Sequence, residues 1–171
     1  MYLDATKRFP FDSATFDYIL CEHMIEHVAW REGLDVLREC HRVLKPGGTV
    51  RVATPDLEVL VSLHGRSQNE TQARFIEWVT DRYLPQVGAY KAAFVINNSF
   101  HNWGHQLLYD GDLMEFAMRQ SGFTNIKRCV FGESDDENLR GIESHGRNIG
   151  DDAMAAFETL VFEGKRPDRT L

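Results

Sequence analysis

The residues best suited to chemistry fall in two short stretches. The first is Cys21-Glu22-His23-Met24-Ile25-Glu26-His27, a thiol, two carboxylates and two imidazoles within seven positions. An imidazole changes charge near neutral pH, so His27, one helical turn beyond His23, could take a proton from a substrate. It could equally cap or pack a short helix, with Glu26 bracing the loop. The His23-x-x-Glu26-His27 spacing would also let two imidazoles on one helical face share a zinc ion while the carboxylate activates water. The second stretch is Asn97-Asn98-Ser99-Phe100-His101-Asn102-Trp103-Gly104-His105, followed by Tyr109. Polar groups interleaved with aromatic rings suit a pocket wall that fixes a small polar molecule. His101 or His105 would then be the base, and Trp103 and Tyr109 contacts to the substrate. A buried, hydrogen-bonded loop without a ligand is the other reading of the same residues.

These stretches need a frame. Phe16 to Cys21 is a short apolar, aromatic run that suits a buried strand, entered through the turn residues Pro10 to Ser13. From Trp30 to Leu44 the apolar side chains recur every three or four positions (Trp30, Leu34, Leu37, His41, Leu44), which predicts a helix with one buried face. Lys45-Pro46-Gly47-Gly48 should end it. Thr49 to Thr54 reads as a second strand stopped by Pro55, with Asp56 as the N-cap of a helix beginning at Leu57. Strand, helix and strand make a βαβ unit, so the two strands should run parallel. Further on, 69–90 reads as helix with Phe75, Trp78, Val79 and Leu84 as core, 91–109 as less regular, and 112–120 as helix closed by Ser121-Gly122. Then 123–131 reads as strand, 132–150 as a polar loop, 157–162 as a last strand and 164–171 as a tail. Pairing of the late strands as an antiparallel ribbon would complete an α/β fold of one domain, 1–171. Helices should cover both sheet faces, and a helical and irregular insertion over 55–110 should contribute to the pocket.

Composition narrows the partners. The chain has 171 residues, 43% hydrophobic and 26% charged, enough for a core without disulfides or metals. No run approaches the ~20 apolar residues of a membrane span, and the first residues lack the apolar centre of a secretory signal. A net charge of −7 argues against nucleic-acid binding. The main basic cluster, Lys165-Arg166 with Arg169, reads as a solvated tail. Cys21, Cys40 and Cys129 are odd in number and form no C-x-x-C, which suits small buried side chains in a reducing cytoplasm.

A string of motifs runs through this frame: Phe9-Pro10-Phe11 before Ser13 and Phe16-Asp17; Glu26-His27; Arg42-Val43-Leu44-Lys45-Pro46-Gly47-Gly48; Pro55-Asp56; and Ser121-Gly122-Phe123 with Ile126. In this order they resemble the later two-thirds of class I S-adenosylmethionine (SAM)-dependent methyltransferases. Pro55-Asp56-Leu57-Glu58 and His105-Gln106-Leu107-Leu108-Tyr109-Asp110 are similar to a small bacterial group of predicted methyltransferases within that class. The resemblance implies a Rossmann-like sheet, SAM as cofactor, and methyl transfer to a small or polysaccharide-like acceptor. It implies that Tyr2-Leu3-Asp4-Ala5 matches the end of the family's third strand, so that Asp4 and Ala5 face the adenine, and that Cys21, Glu22 and His23 line the methionine end.

The family's glycine-rich loop and the acid that holds the ribose hydroxyls have no counterpart in this sequence. By the resemblance, a first βαβ portion on the order of 40 residues is missing. The chain is therefore expected to be a truncated gene, a fragment or a subunit completed by another chain, with an exposed sheet edge that could pair two copies. Without that loop, a non-catalytic methyltransferase-like binding or assembly module is the main alternative. His23 to His27 also matches the H-x-x-E-H motif of inverted zinc peptidases, a more distant alternative, because the motif sits at a strand end and no Glu occurs between residues 78 and 114. No metal ligands are assigned.

Overall fold

The computed structural model describes residues 3–168. Tyr2 of the adenine-side motif and Arg169 of the basic cluster lie outside the described residues. Four strands form one sheet in the order β1-β2-β4-β3. β1 (Phe16–Glu22) and β2 (Leu44–Pro55) run parallel, in register from Tyr18 opposite Thr49 to Glu22 opposite Ala53. The helix between them, α1, covers Trp30–Val43, so the expected βαβ unit is present. The late strands β3 (Thr124–Cys129) and β4 (Thr159–Lys165) do pair antiparallel, and β4 also pairs antiparallel with β2, which places it between the two. β1 lies at the edge of the described sheet.

The alternation of side chains sorts the sheet into two faces. Ile19 and Cys21 of β1, Val50 and Val52 of β2, and Leu160 and Phe162 of β4 meet Val36, Leu37 and Cys40 of α1 and Met114, Ala117 and Met118 of α5 (Gly111–Gln120) in one hydrophobic core. The buried stripe of α1 is centred on Gly33, Val36, Leu37, Cys40 and Val43, about one residue around the helix from the expected face. Trp30 and His41 sit at its rim, stacked on Phe116 and edge-on to Phe123.

Helices do not form an equivalent layer on the other face. There the segment 130–144 folds over Arg51 of β2, which bonds to Glu143, Glu163 and the carbonyls of Val130 and Glu133, while Tyr18 of β1 bonds to Asp136. That polar run is therefore not a free loop. It includes a 3-10 turn, Glu137–Leu139, and leads into a short helix α6, His145–Ile149.

Other boundaries shift for local reasons. Lys45 to Gly48 does not separate helix from strand, because β2 already begins at Leu44. The four residues form a bulge between the Phe16–Leu44 and Tyr18–Thr49 pairs, with Gly47 at φ +77°. Arg166 belongs to this structure rather than to a solvated tail, since its backbone exchanges hydrogen bonds with Gly47 and Gly48. α3 spans Glu70–Tyr83, ending before Pro85, which opens a separate 3-10 turn. The stretch read as less regular contains a helix, α4 (Ala92–His101). Its Asn97 and Ser99 side chains bond back to the carbonyls of Ala93 and Val95, so residues that usually disfavour helix interiors are accommodated. Phe157 belongs to helix α7 (Asp152–Glu158), and the last strand starts two residues later than expected. Helix α2 (Leu57–Ser62) starts as anticipated, with the Asp56 carboxylate accepting from the Glu58 N–H at 2.9 Å. α2, α3, α4 and α7 share a second hydrophobic cluster around Leu60, Phe75, Val79, Val95 and Met154. Among the described residues no helix is long and apolar enough to cross a membrane.

Candidate functional site

The parallel strands β1 and β2 stop beside each other, and the chain chemistry gathers just beyond their carboxyl ends. His23 leaves β1 with φ +44°, a left-handed conformation uncommon for a residue with a side chain, while its N–H still donates to Ala53 O at 2.8 Å. The turn continues as a single 3-10 turn, Ile25–His27, anchored by the fully buried Ile25. His23 and His27 therefore do not lie on one face of a helix, and the paired-imidazole geometry expected of the H-x-x-E-H motif does not form.

The structure assembles a different group. Glu26 is fully buried. Its Oε2 accepts from the Thr54 hydroxyl at 2.9 Å, whereas Oε1 has no hydrogen-bond partner among the described residues. His23 Nδ1 stands 3.3 Å and His27 Nε2 3.8 Å from that Oε1. The segment after α4 brings in a third imidazole. Trp103 and Gly104 both take left-handed backbone conformations, φ +59° and +78°, and turn the chain back. Gln106 and Leu107 then donate their N–H groups to Glu26 O, and the Gln106 side chain donates to His27 O. This lays His105 against His27, with ring centres 4.9 Å apart. His105 Nδ1 lies 2.7 Å from Ser99 O, so Nδ1 carries the proton and Nε2 keeps its lone pair. Burial alone would raise the Glu26 carboxyl, but the neighbouring His23 and the Thr54 hydroxyl hold it below its ordinary value. Burial lowers the His105 imidazole, which keeps it neutral.

These groups line a cavity of about 320 Å³ together with the aromatic side chains of Phe75, Trp78, Tyr83 and Trp103, the last packed on His105 at 5.6 Å. Trp103 stands edge-on to Tyr83 at 5.2 Å. The floor carries two residues that no local pattern marks, His145 and Glu158. His145 stacks on His23 with ring centres 3.5 Å apart and meets Glu158 Oε1 at 3.1 Å. His145 stands in a polar run without periodicity, and Glu158 in a stretch read as strand, so their meeting depends on tertiary placement alone.

Of the residues singled out by sequence, His23, His27, His105 and Trp103 line this cavity together. Glu22 does not face it openly; its carboxylate accepts from Ser144 N, Ser144 Oγ and His145 N and so fastens the His145 wall. Cys21 points into the core, where burial pushes its thiol well above the usual range, so it offers no thiolate. His101 ends α4 with an exposed side chain outside the cavity lining. Asp4 is exposed and accepts from the Thr6 N–H and hydroxyl, and Ala5 packs against the core beside α1; neither shares the cavity.

Tyr109 departs furthest from its expected substrate contact. It is fully buried in the core under α1, its hydroxyl lacks a partner among the described residues, and a methyl group on Gly33 would come within 2.7 Å of it. A buried hydroxyl without a hydrogen bond costs about 1–3 kcal/mol. Tyr109→Phe is therefore expected to be neutral or to stabilise the fold by ~1 kcal/mol. Gly33→Ala should destabilise it by about 1–3 kcal/mol through overpacking, and Tyr109→Phe should relieve most of that loss in the double variant. Urea unfolding of the four proteins measures the cycle; equal losses for Gly33→Ala in both backgrounds would show that the two groups do not meet.

Comparison with known proteins agrees with this architecture. A family model described as a methyltransferase domain matches residues 2–52. A SAM-dependent methyltransferase from Archaeoglobus fulgidus is 12% identical with a TM-score of 0.55, over 96% of this chain and 66% of its own. A protein from Haloferax volcanii in complex with the Trm112 methyltransferase activator is 18% identical with a TM-score of 0.56, over 98% of this chain and 60% of its own. The chain shares the fold of these methyltransferases. A SAM-dependent methyltransferase from Thermotoga maritima shares it as well, at 17% identity and a TM-score of 0.50, over 95% of this chain and 60% of its own. The chain thus spans 60–66% of the length of these three proteins. No curated protein matches it. In open α/β folds ligands bind beyond the carboxyl ends of the strands, and in this methyltransferase fold the cavity lies there.

Proposed function

We propose that this chain supplies the acceptor side of a SAM-dependent methyl transfer to a small polar or sugar-like molecule carrying a hydroxyl or amine. The observation that carries the reading is the cavity itself: it is lined by aromatic rings and by the converging Glu26, His27 and His105, beyond the carboxyl ends of β1 and β2, where open α/β folds bind ligands. SAM, when bound, brings a methyl group already activated on a sulfonium. The residues present match that donor only in part, since the sequence holds no glycine-rich loop and no ribose-binding acid. The chain's own work is placement. Trp103 and Tyr83 hold the acceptor's apolar or ring surface, and the 55–110 insertion, which provides most of that wall, excludes water. With SAM supplying the methyl group, Glu26, His27 and His105 would hold the acceptor's polar atom, and an unprotonated member of the group would take the proton that atom gives up.

Titration calorimetry of the chain with S-adenosylhomocysteine tests the donor half of this reading. Saturable binding tighter than about 1 mM, worth ~4 kcal/mol, is the expected result. Absence of heat at millimolar ligand would leave a methyltransferase-like binding module. The zinc-peptidase alternative has no support in the geometry, because its two histidines do not share a helical face.

A further inference from the structure

We infer that Glu26, His27 and His105 form a binding site for one divalent first-row transition-metal ion. One donor atom from each of these residues lies within 4.8 Å of the others. The carboxylate is the stronger half of the argument. Glu26 is fully buried, one oxygen is satisfied by Thr54, and the other makes no hydrogen bond of good geometry among the described residues, with His23 Nδ1 3.3 Å and His27 Nε2 3.8 Å away. A buried, unpartnered carboxylate oxygen is costly, and a cation removes that cost.

The surroundings are those of an orientated ligand set. Thr54 fixes the carboxylate, and Ser99 O fixes the His105 ring so that its unprotonated nitrogen is the one free to ligate. Metal–ligand bonds of roughly 2.0–2.2 Å require donors about 3–3.5 Å apart, so the group closes around an ion with side-chain movements of about an ångström. Two imidazoles and one carboxylate suit Zn²⁺, Fe²⁺ or Mn²⁺ over Mg²⁺ or Ca²⁺, which prefer all-oxygen sites. His23 stands against the same carboxylate oxygen but is stacked on His145, so three protein ligands leave positions open. Those positions adjoin the aromatic cavity, as in metal sites that also bind substrate. Resting on the methyl-transfer reading, the ion would bind the acceptor's oxygen or nitrogen and, with Glu26, His27 and His105 engaged as ligands, would take over from them by making that group acidic enough to lose its proton to solvent. Ion binding itself does not depend on that reading.

The test uses untagged chain stripped with a chelator, then titrated with Zn²⁺ by calorimetry and with Co²⁺ by visible absorption. One equivalent is expected, with Co²⁺ giving the bands of a site that includes imidazole nitrogen. His105→Ala and Glu26→Gln should each weaken Zn²⁺ binding at least ~10-fold, whereas His64→Ala, at an exposed histidine outside the group, should not. His27→Ala is the safeguard against misfolding, because that side chain is 36% exposed; it should weaken binding comparably with the circular dichroism unchanged. No saturable binding, or binding equally strong in the His27 and His105 variants, overturns the site. The S-adenosylhomocysteine titration, done without metal, reports separately on methyl-donor binding.

Discussion

Arg51→Met is expected to lower the stability of this protein by about 3–5 kcal/mol. The guanidinium sits in the middle of β2 and is fully buried, bonded to Glu143, to Glu163 at 2.6 Å and to the carbonyls of Val130 and Glu133. Removing it leaves two carboxylates in the interior. Glu163 keeps a second partner in Lys127 at 3.3 Å, but among the described residues Arg51 is the only side chain that pairs with Glu143, whose Oε2 has no hydrogen bond there. The loss therefore comes mainly from stranded charge rather than from the pair's own attraction. A triple variant, Arg51→Met with Glu143→Leu and Glu163→Val, should recover most of it, since apolar replacement of a whole buried ionic group is often neutral or stabilising. Denaturant unfolding of the single and triple variants decides between the accounts. If the triple variant is no more stable than Arg51→Met, the cost lies in lost packing of the 130–144 segment.

The second large effect concerns Glu22. Its carboxylate accepts three hydrogen bonds from Ser144 and His145, the lengths running from 2.6 Å to 2.9 Å at the closest oxygens. A hydrogen bond to a charged group contributes about 1.5–3 kcal/mol net, and since the three donors share one half-buried carboxylate and can turn to water once it is gone, Glu22→Ala should cost about 2–3 kcal/mol. It should also free the His145 wall of the cavity, speeding hydrogen exchange at the Ser144 and His145 amides. Burial alone would raise the Glu22 carboxyl, but the Ser144 and His145 hydrogen bonds outweigh it and lower it below 4.5. The sign follows from the lowered value. The contribution is fully present above the unfolded carboxylate's pKa and is lost as the pH falls through the folded one. Wild type should thus lose stability on acidification below about pH 4.5 more steeply than Glu22→Ala. Parallel pH dependences would assign the tether to Ser144's own backbone contacts. Because Arg51 holds Glu143 and Glu22 holds the adjoining Ser144 and His145, their losses should not add.

The two variants also separate support from chemistry. Arg51 and Glu22 touch neither the Glu26 cluster nor the aromatic wall directly; they hold the strap that carries His145. Stability should respond to them, while Zn²⁺ binding by the folded protein should not.

Much of this molecule is legible in its residues. The apolar run at 16–21, the three-and-four spacing from Trp30, and the Pro55-Asp56 stop define a parallel βαβ unit, because strand and helix periods and cap chemistry are local properties of the chain. The same applies to His23, Glu26, His27 and His105 as chemical candidates, since residue type alone nominates an imidazole or carboxylate. Tertiary structure decided how they are used. It bent the chain at His23 through one left-handed residue, so that His23 and His27 meet Glu26 without sharing a helix, and it brought His105 to Glu26 through backbone bonds across some eighty positions. It also sank Tyr109 and Arg51 into the interior and chose His145 and Glu158 for the cavity floor. Local pattern cannot report these placements, because each depends on which distant segment covers a face, and that is settled by the packing of the whole sheet.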